Sequence, residues 1–190
     1  MRYRGRLIDI ATIKARYPTW FPQQPAIDGL AYDNGVRVGK MMSVSISPEF
    51  EQVSALGGGG SVFKRAGVAL NTSSLPLAAY KAMFGGSGAA GELIDPTYSA
   101  ARGGFGYITG ELEDGCSFWR VHFLRDVVFI PPNESAVTFN GQVTFTTPSI
   151  SGTAWPDYLE GRWRERKDVT ALDEAVSLLD LISTGGRLVE

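Results

Sequence analysis

The sequence predicts a mainly β domain with one short internal helix and one C-terminal helix. Three observations carry this. Val36, Val38, Met42, Val44 and Ile46 alternate with polar or small residues, the period of a half-buried strand. Two β-prone runs, Phe105 to Leu112 and Cys116 to Ile130, flank Glu113-Asp114-Gly115, and Asp-Gly favours a tight hairpin turn. Near the C-terminus, Leu172, Ala175, Val176, Leu179 and Ile182 recur at helical spacing.

The first 33 residues predict an irregular arm. Pro18, Pro22 and Pro25 punctuate it, a density that opposes a continuous helix or a central strand. Tyr17, Trp20 and Phe21 lie between them and require burial, either on their own domain or on a neighbouring subunit. Asp33-Asn34-Gly35 reads as a turn. Pro48 ends the strand that follows, and Phe50 to Leu56 reads as a short strand. Gly57 to Gly60 is a run of four glycines. No Gly-Lys-Ser/Thr follows it, so it is not a phosphate loop; Val62 to Asn71 is the next strand.

Ser73 and Ser74, an early Pro76 and a terminal Gly85 are start and stop signals for a short helix. Gly85 to Gly104 is loose, and the hairpin runs from Phe105 until Pro131-Pro132. Ala136 to Thr147 reads as a strand with a bulge or break at Asn140-Gly141, and Ser149 to Thr153 as a shorter one. Gly161 to Lys167 is basic and polar. Asp168 or Thr170 caps the last helix, which Gly185-Gly186 ends. Its apolar face needs a surface on its own domain or on a partner.

Composition narrows the function classes. The 190 residues suit one domain. Hydrophobic residues at 44% and charged residues at 20% place the chain among folded globular proteins. Eighteen Lys and Arg against 20 Asp and Glu give a net charge of −2, without the bulk basic excess of a phosphate-gripping protein. The single cysteine, Cys116, allows no intramolecular disulfide, and with the single His122 it cannot complete a tetrahedral zinc site. The basic start Met1-Arg-Tyr-Arg-Gly-Arg-Leu lacks the apolar core of a signal peptide. No run approaches the roughly 18 apolar residues of a membrane span.

No catalytic, cofactor or metal set emerges, and the expectation is a protein that is not an enzyme. His122 sits in an alternating strand and reads as structural. Cys116 reads as a small, semi-buried side chain, and a cysteine six residues before a histidine matches no catalytic pattern. Glu111, Glu113 and Asp114 read as an acidic solvated turn without EF-hand spacing. Arg162, Arg164, Arg166 and Lys167 surround Trp163 as a basic-aromatic patch diluted by Glu160, Glu165 and Asp168, which reads as a solvated or subunit-facing segment.

A set of phrases in fixed order resembles the phage major tail protein family of long, non-contractile tails, of the phi13 type. They are Lys40-Met41-Met42-Ser43-Val44-Ser45-Ile46-Ser47-Pro48-Glu49, the helix Leu75-Pro76 to Phe84-Gly85, Gly104-Phe105-Gly106-Tyr107-Ile108 and Phe118-Trp119-Arg120-Val121. Val143-Thr144-Phe145-Thr146-Thr147-Pro148-Ser149-Ile150-Ser151-Gly152-Thr153, with Gly161-Arg162-Trp163 after it, closes the series. The stretch Met1 to Gln24 has no clear counterpart there, and the glycine run replaces a loop that is usually acidic.

The resemblance implies a β-sandwich or β-barrel of tail-tube type with a short flanking helix and a C-terminal helix. It divides the chain into an arm (1–33), a tail-tube β domain (34–163) and a C-terminal extension (164–190). Six subunits would close a homo-hexameric ring, and rings would stack into a tube through which double-stranded DNA passes without specific binding. Tape measure, tail terminator and tail tip proteins are the implied partners, with no membrane and no cofactor. The implied location is the virion tail, with the host cytoplasm during assembly. Glu49, Glu51, Glu111, Glu113 and Asp114 are the candidates for the lumen or for ring-to-ring contacts. The competing reading is a β-sandwich binding module of a virion, such as a fibre or decoration protein. An enzyme built on His122 and Cys116 is the third.

Overall fold

The computed structural model describes residues 11–26, 29–32, 35–55, 58–95, 101–113, 115–133, 148–157 and 161–182. They form a mainly β fold with two helices. The strands are β1 (Ala11–Ala26), β2 (Gly29–Tyr32), β3 (Val36–Arg37), β4 (Met41–Ala55), β5 (Gly58–Thr72), β6 (Arg102–Glu113), β7 (Cys116–Ile130), β8 (Ser149–Trp155) and β9 (Arg164–Val169); the helices are α1 (Leu77–Phe84) and α2 (Leu172–Ile182). All pairings are antiparallel, in the order β2-β1-β6-β7-β8-β5-β4, with β3 beside β1 and β9 beside β7. The sheet is not closed into a barrel, but it curls until β1 and β4 touch.

The hairpin expected around Gly115 is the centre of the sheet. Gly103 to Glu111 of β6 are buried without interruption, because both faces of the sheet are covered here. Register pairs Phe105 with Leu124, Tyr107 with His122 and Thr109 with Arg120, while Gly106, Ile108 and Gly110 oppose Phe123, Val121 and Trp119. Alternation along the strands puts these two sets on opposite faces. On the first face Phe105, Leu124 and Phe129 join Leu70, Ile150 and the α1 residues Met83 and Phe84 in the main core. On the second, Ile108, Val121 and Phe123 are covered by Ala175 and Leu179 of α2. The C-terminal helix therefore lies on its own domain, which decides one of the alternatives left open by its sequence.

β7 is long enough to serve two neighbours along one edge. Trp119 to Leu124 pair with β9, and Asp126 to Ile130 pair with β8. Arg125 stands at this fork. Its backbone N–H donates to the Trp163 carbonyl (3.1 Å), and its buried guanidinium meets Asp157 (3.2 Å) and Glu165 (3.0 Å). Buried ions persist only when paired in this way.

Several expectations fail for identifiable reasons. The prolines predict an irregular arm over 1–33, yet Ala11–Ala26 is a strand. Pro18 falls inside a register shift between Arg16 and Thr19, where the ladder is interrupted anyway. Pro22 falls between the segments that pair with β3 and with β2. Pro48 does not end β4, which continues to Ala55; β4 is the last strand in the order, and an edge tolerates proline. The glycine run joins β5 from Gly58. The basic stretch after Trp163 is a strand, β9. The sheet thus crosses both boundaries drawn at 33 and 163. Helix α1 begins at Leu77 without a serine cap, Pro76 standing at its N-cap, and ends at Gly85 with φ +78° as expected. Ala136 to Thr147 and Gly185-Gly186 lie outside the described residues.

Candidate functional site

Two regions concentrate the candidate residues. The first is the far half of the β4–β5 hairpin. β8 pairs with β5 only from Ala66 to Asn71, so Gly58 to Arg65 pair with β4 alone among the described residues. At 3.3–3.4 Å per residue this arm extends roughly 25 Å beyond the sheet. Cross-strand pairs brace it. Arg65 Nε donates to Glu49 Oε2 at 2.7 Å, Lys64 Nζ lies 3.8 Å from Glu51 Oε2, and Gln52 donates to Ser61 Oγ at 2.8 Å. These pairs are exposed and screened by water, so they guide the pairing more than they stabilise it. Phe50, Val53 and Val62 are each about half exposed (56%, 45% and 56%). Glu49 and Glu51 therefore sit on the arm, partnered by neighbouring cations.

The second region is a polar row across β6, β7 and β9. Arg120 is its centre. Nη1 donates to Glu111 Oε2 at 2.6 Å, while Nε and Nη2 donate to the two oxygens of Asp168 at 2.6 and 2.8 Å. The Thr109 hydroxyl donates to Glu111 Oε1 at 2.9 Å and lies 2.9 Å from His122 Nε2. With its proton committed to the carboxylate, the hydroxyl accepts from His122, which assigns the Nε2–H tautomer. The Tyr107 ring stacks on the imidazole at 4.5 Å and 3°.

Burial first, and then the cations Arg120, Arg166 and Arg164, push the His122 pKa down to about 3. Burial pushes the Tyr107 hydroxyl up to about 12. The hydrogen bonds from Arg120 hold Asp168 below the usual carboxylate range. At neutral pH the row is a neutral imidazole and a neutral phenol framed by fixed ion pairs.

The site residues separate on this frame. Glu111 is buried (4% exposed) against Arg120, so the reading of a solvated turn fails for it; the strand carries its side chain onto the covered face beside Thr109. Glu113 is half-buried opposite Cys116 at the hairpin end, and Asp114 lies outside the described residues. Cys116 is exposed rather than semi-buried, because it is the first residue after the turn. Six steps along β7, about 20 Å, separate Cys116 from His122, too far for a shared catalytic step within one subunit. The Thr109-His122-Glu111 group also differs from a nucleophilic triad. There the carboxylate sits on Nδ1 and the hydroxyl proton faces the imidazole; here the carboxylate takes the hydroxyl proton, and Nδ1 has no hydrogen-bond partner among the described residues. No group of three or more metal-ligating side chains occurs among the described residues.

Two features escaped the sequence reading. The arm's strands are read in pieces, Phe50 to Leu56 and Val62 to Asn71; their continuity through Pro48 and the glycines is hidden because those are strand-breaking signals, although Glu49/Arg65 and Glu51/Lys64 are complementary across the turn. β9 was hidden by its charge. Its alternation was visible: Arg164, Arg166 and Asp168 on one side, Glu165, Lys167 and Val169 on the other. Comparison of the chain with protein-family models and with curated proteins gives no match.

Proposed function

We propose that this chain is a structural subunit of a phage tail tube, assembling into rings of six that stack into a conduit for DNA. The observation that carries the reading is the β4–β5 arm. Two strands alone are marginal in water, and Phe50, Val53 and Val62 leave about half of their apolar surface exposed, area that contributes fully only when another surface covers it. Gly60 adds to this: a Cβ there would meet no atom within 4 Å, so the subunit itself has no steric need for glycine at the tip. Bare backbone in an extended arm suits close approach by another chain. The ordered phrases that resemble the tail proteins supply the identity of that chain, a second copy.

Rings close by rotation and tubes grow by head-to-tail stacking. Of the acidic candidates, Glu49 and Glu51 are offset by Arg65 and Lys64 and suit ring contacts, and Glu113 and Asp114 remain for the lumen or the ring contacts, where negative charge keeps DNA moving. Tape measure, terminator and tip proteins would bound the tube. Negative-stain microscopy of the purified protein over a concentration series tests the reading. Hollow rings or tubes of uniform diameter are expected, and deletion of 50–62 should abolish stacking. A monomer at every concentration, with measurable glycan affinity, would move the binding-module reading to first place.

A further inference from the structure

We propose that the β4–β5 arm is hinged at Lys64 and latched by Trp163, so that its posture is tied to strand β9. This stands independently of the tube reading.

Three features coincide where the arm leaves the sheet. The last β8 contact is Ala66 with Ala154. The next step outward carries a register shift: Glu49 opposes Arg65 but Phe50 opposes Phe63, leaving Lys64 as the extra residue. Such a bulge bends the strand and frees it locally from the ladder. Immediately past it, the Phe63 ring stacks flat on Trp163, with centroids 4.3 Å apart and planes within 8°, and Phe50 meets Phe63 edge-on at 5.9 Å.

Trp163 is fixed from the other side. Its carbonyl is held by the Arg125 N–H, and Arg125 is locked by Asp157 and Glu165. The Arg164 guanidinium lies 4.4 Å from the Trp163 ring centroid, and the following residues form β9 on the edge of β7. The tryptophan is therefore anchored to the body and meets the arm through its ring face, and the half-buried Phe63 also packs against the edge of the main core. A stack with a half-buried edge contact is weak compared with a fully buried core, so it opens without melting the sheet. Opening bares Phe63 and Trp163 beside the already exposed Phe50.

The test uses spin labels on the dilute full-length subunit, one at Ser54→Cys near the arm tip and one on the native, exposed Cys116. Double electron–electron resonance reads the spread of distances. The parent and Trp163→Phe should give one narrow distribution, and Trp163→Leu a distribution at least twice as wide with an unchanged β-sheet circular dichroism signal. Phe63→Leu should reproduce the widening from the arm side. A parental width in Trp163→Leu, a broad parent, or equal widening in Trp163→Phe would each overturn the latch. Widening that appears only with loss of the circular dichroism signal would also overturn it, since that would make Trp163 a core residue rather than a latch.

Discussion

Replacing Arg120 by methionine removes the cation that Glu111 and Asp168 share. Asp168 is half exposed and returns to water, but the Glu111 side chain is 6% exposed and is left as a buried anion with one hydroxyl donor, Thr109. Breaking a buried pair from one side costs about 3–5 kcal/mol. Because the Arg120 side chain is itself 19% exposed, the lower end applies, about 3 kcal/mol. Glu111→Gln keeps one acceptor oxygen for Arg120 and turns an amide donor toward the Thr109 hydroxyl, which can accept it; charge assistance is lost, at a cost of about 1–2 kcal/mol. The double variant no longer buries an unpaired charge, so it should be more stable than Arg120→Met alone by roughly 1–2 kcal/mol. Urea unfolding of the dilute subunit measures all three. With a slope of roughly 2 kcal/mol/M, Arg120→Met should lower the midpoint by about 1.5 M, and adding Glu111→Gln should recover about a third or more of that. A double variant as unstable as the sum of the singles would refute the argument that a stranded carboxylate is the source of the loss.

The same row predicts an acid response. His122 has a folded pKa of about 3 against an unfolded value near 6.5, so the unfolded chain binds the extra proton between these values. Its contribution is fully present above about pH 6.5 and is lost as pH falls toward 3; His122→Gln should flatten the stability-versus-pH slope across that window, as read by denaturant midpoints at stepped pH. At β8, a Cβ on Gly152 would lie 2.6 Å from the Val128 carbonyl oxygen and 2.5 Å from the Phe129 ring. Gly152→Ala should therefore lower stability by about 1–3 kcal/mol. Phe129→Leu in the same chain should not restore it, because the carbonyl clash is backbone; thermal unfolding of the single and double variants checks this.

The legible parts of the fold were those where one local rule acts alone. Asp114-Gly115 between aromatic runs marks the central hairpin, and Leu172, Ala175 and Leu179 mark the helix that covers it. Gly85 marks the end of α1 through its left-handed backbone. Elements failed to show where tertiary pairing overrides propensity. Pro18 and Pro48 are breakers in isolation, but a register shift absorbs one and the edge position of β4 absorbs the other. Arg164 to Val169 has the composition of a solvated segment, yet two of its charges are paired by arginines of β7, Asp168 by Arg120 and Glu165 by Arg125, and Val169 is buried. The buried state of Glu111 had no signal in its turn neighbours, of which Leu112 and Gly115 are exposed and Glu113 is half-buried; its partner Arg120 comes from the facing strand of the hairpin.

The forked edge of β7 also bears on the order in which the chain assembles. Leu70 pairs with Ile150, and Ala11 with Leu112, so the early strands wait for partners made much later, while β6 and β7 close on each other across one turn. Contacts of such long sequence separation slow folding. β7 acts as the template: β9 and β8 dock on separate halves of it, and the β4–β5 hairpin, which among the described residues joins the ladder through β8, comes last. A newly made chain therefore carries its exposed hairpin, with Phe50 and Val62 already on the outside, for the whole interval before residue 150 is available to seat it.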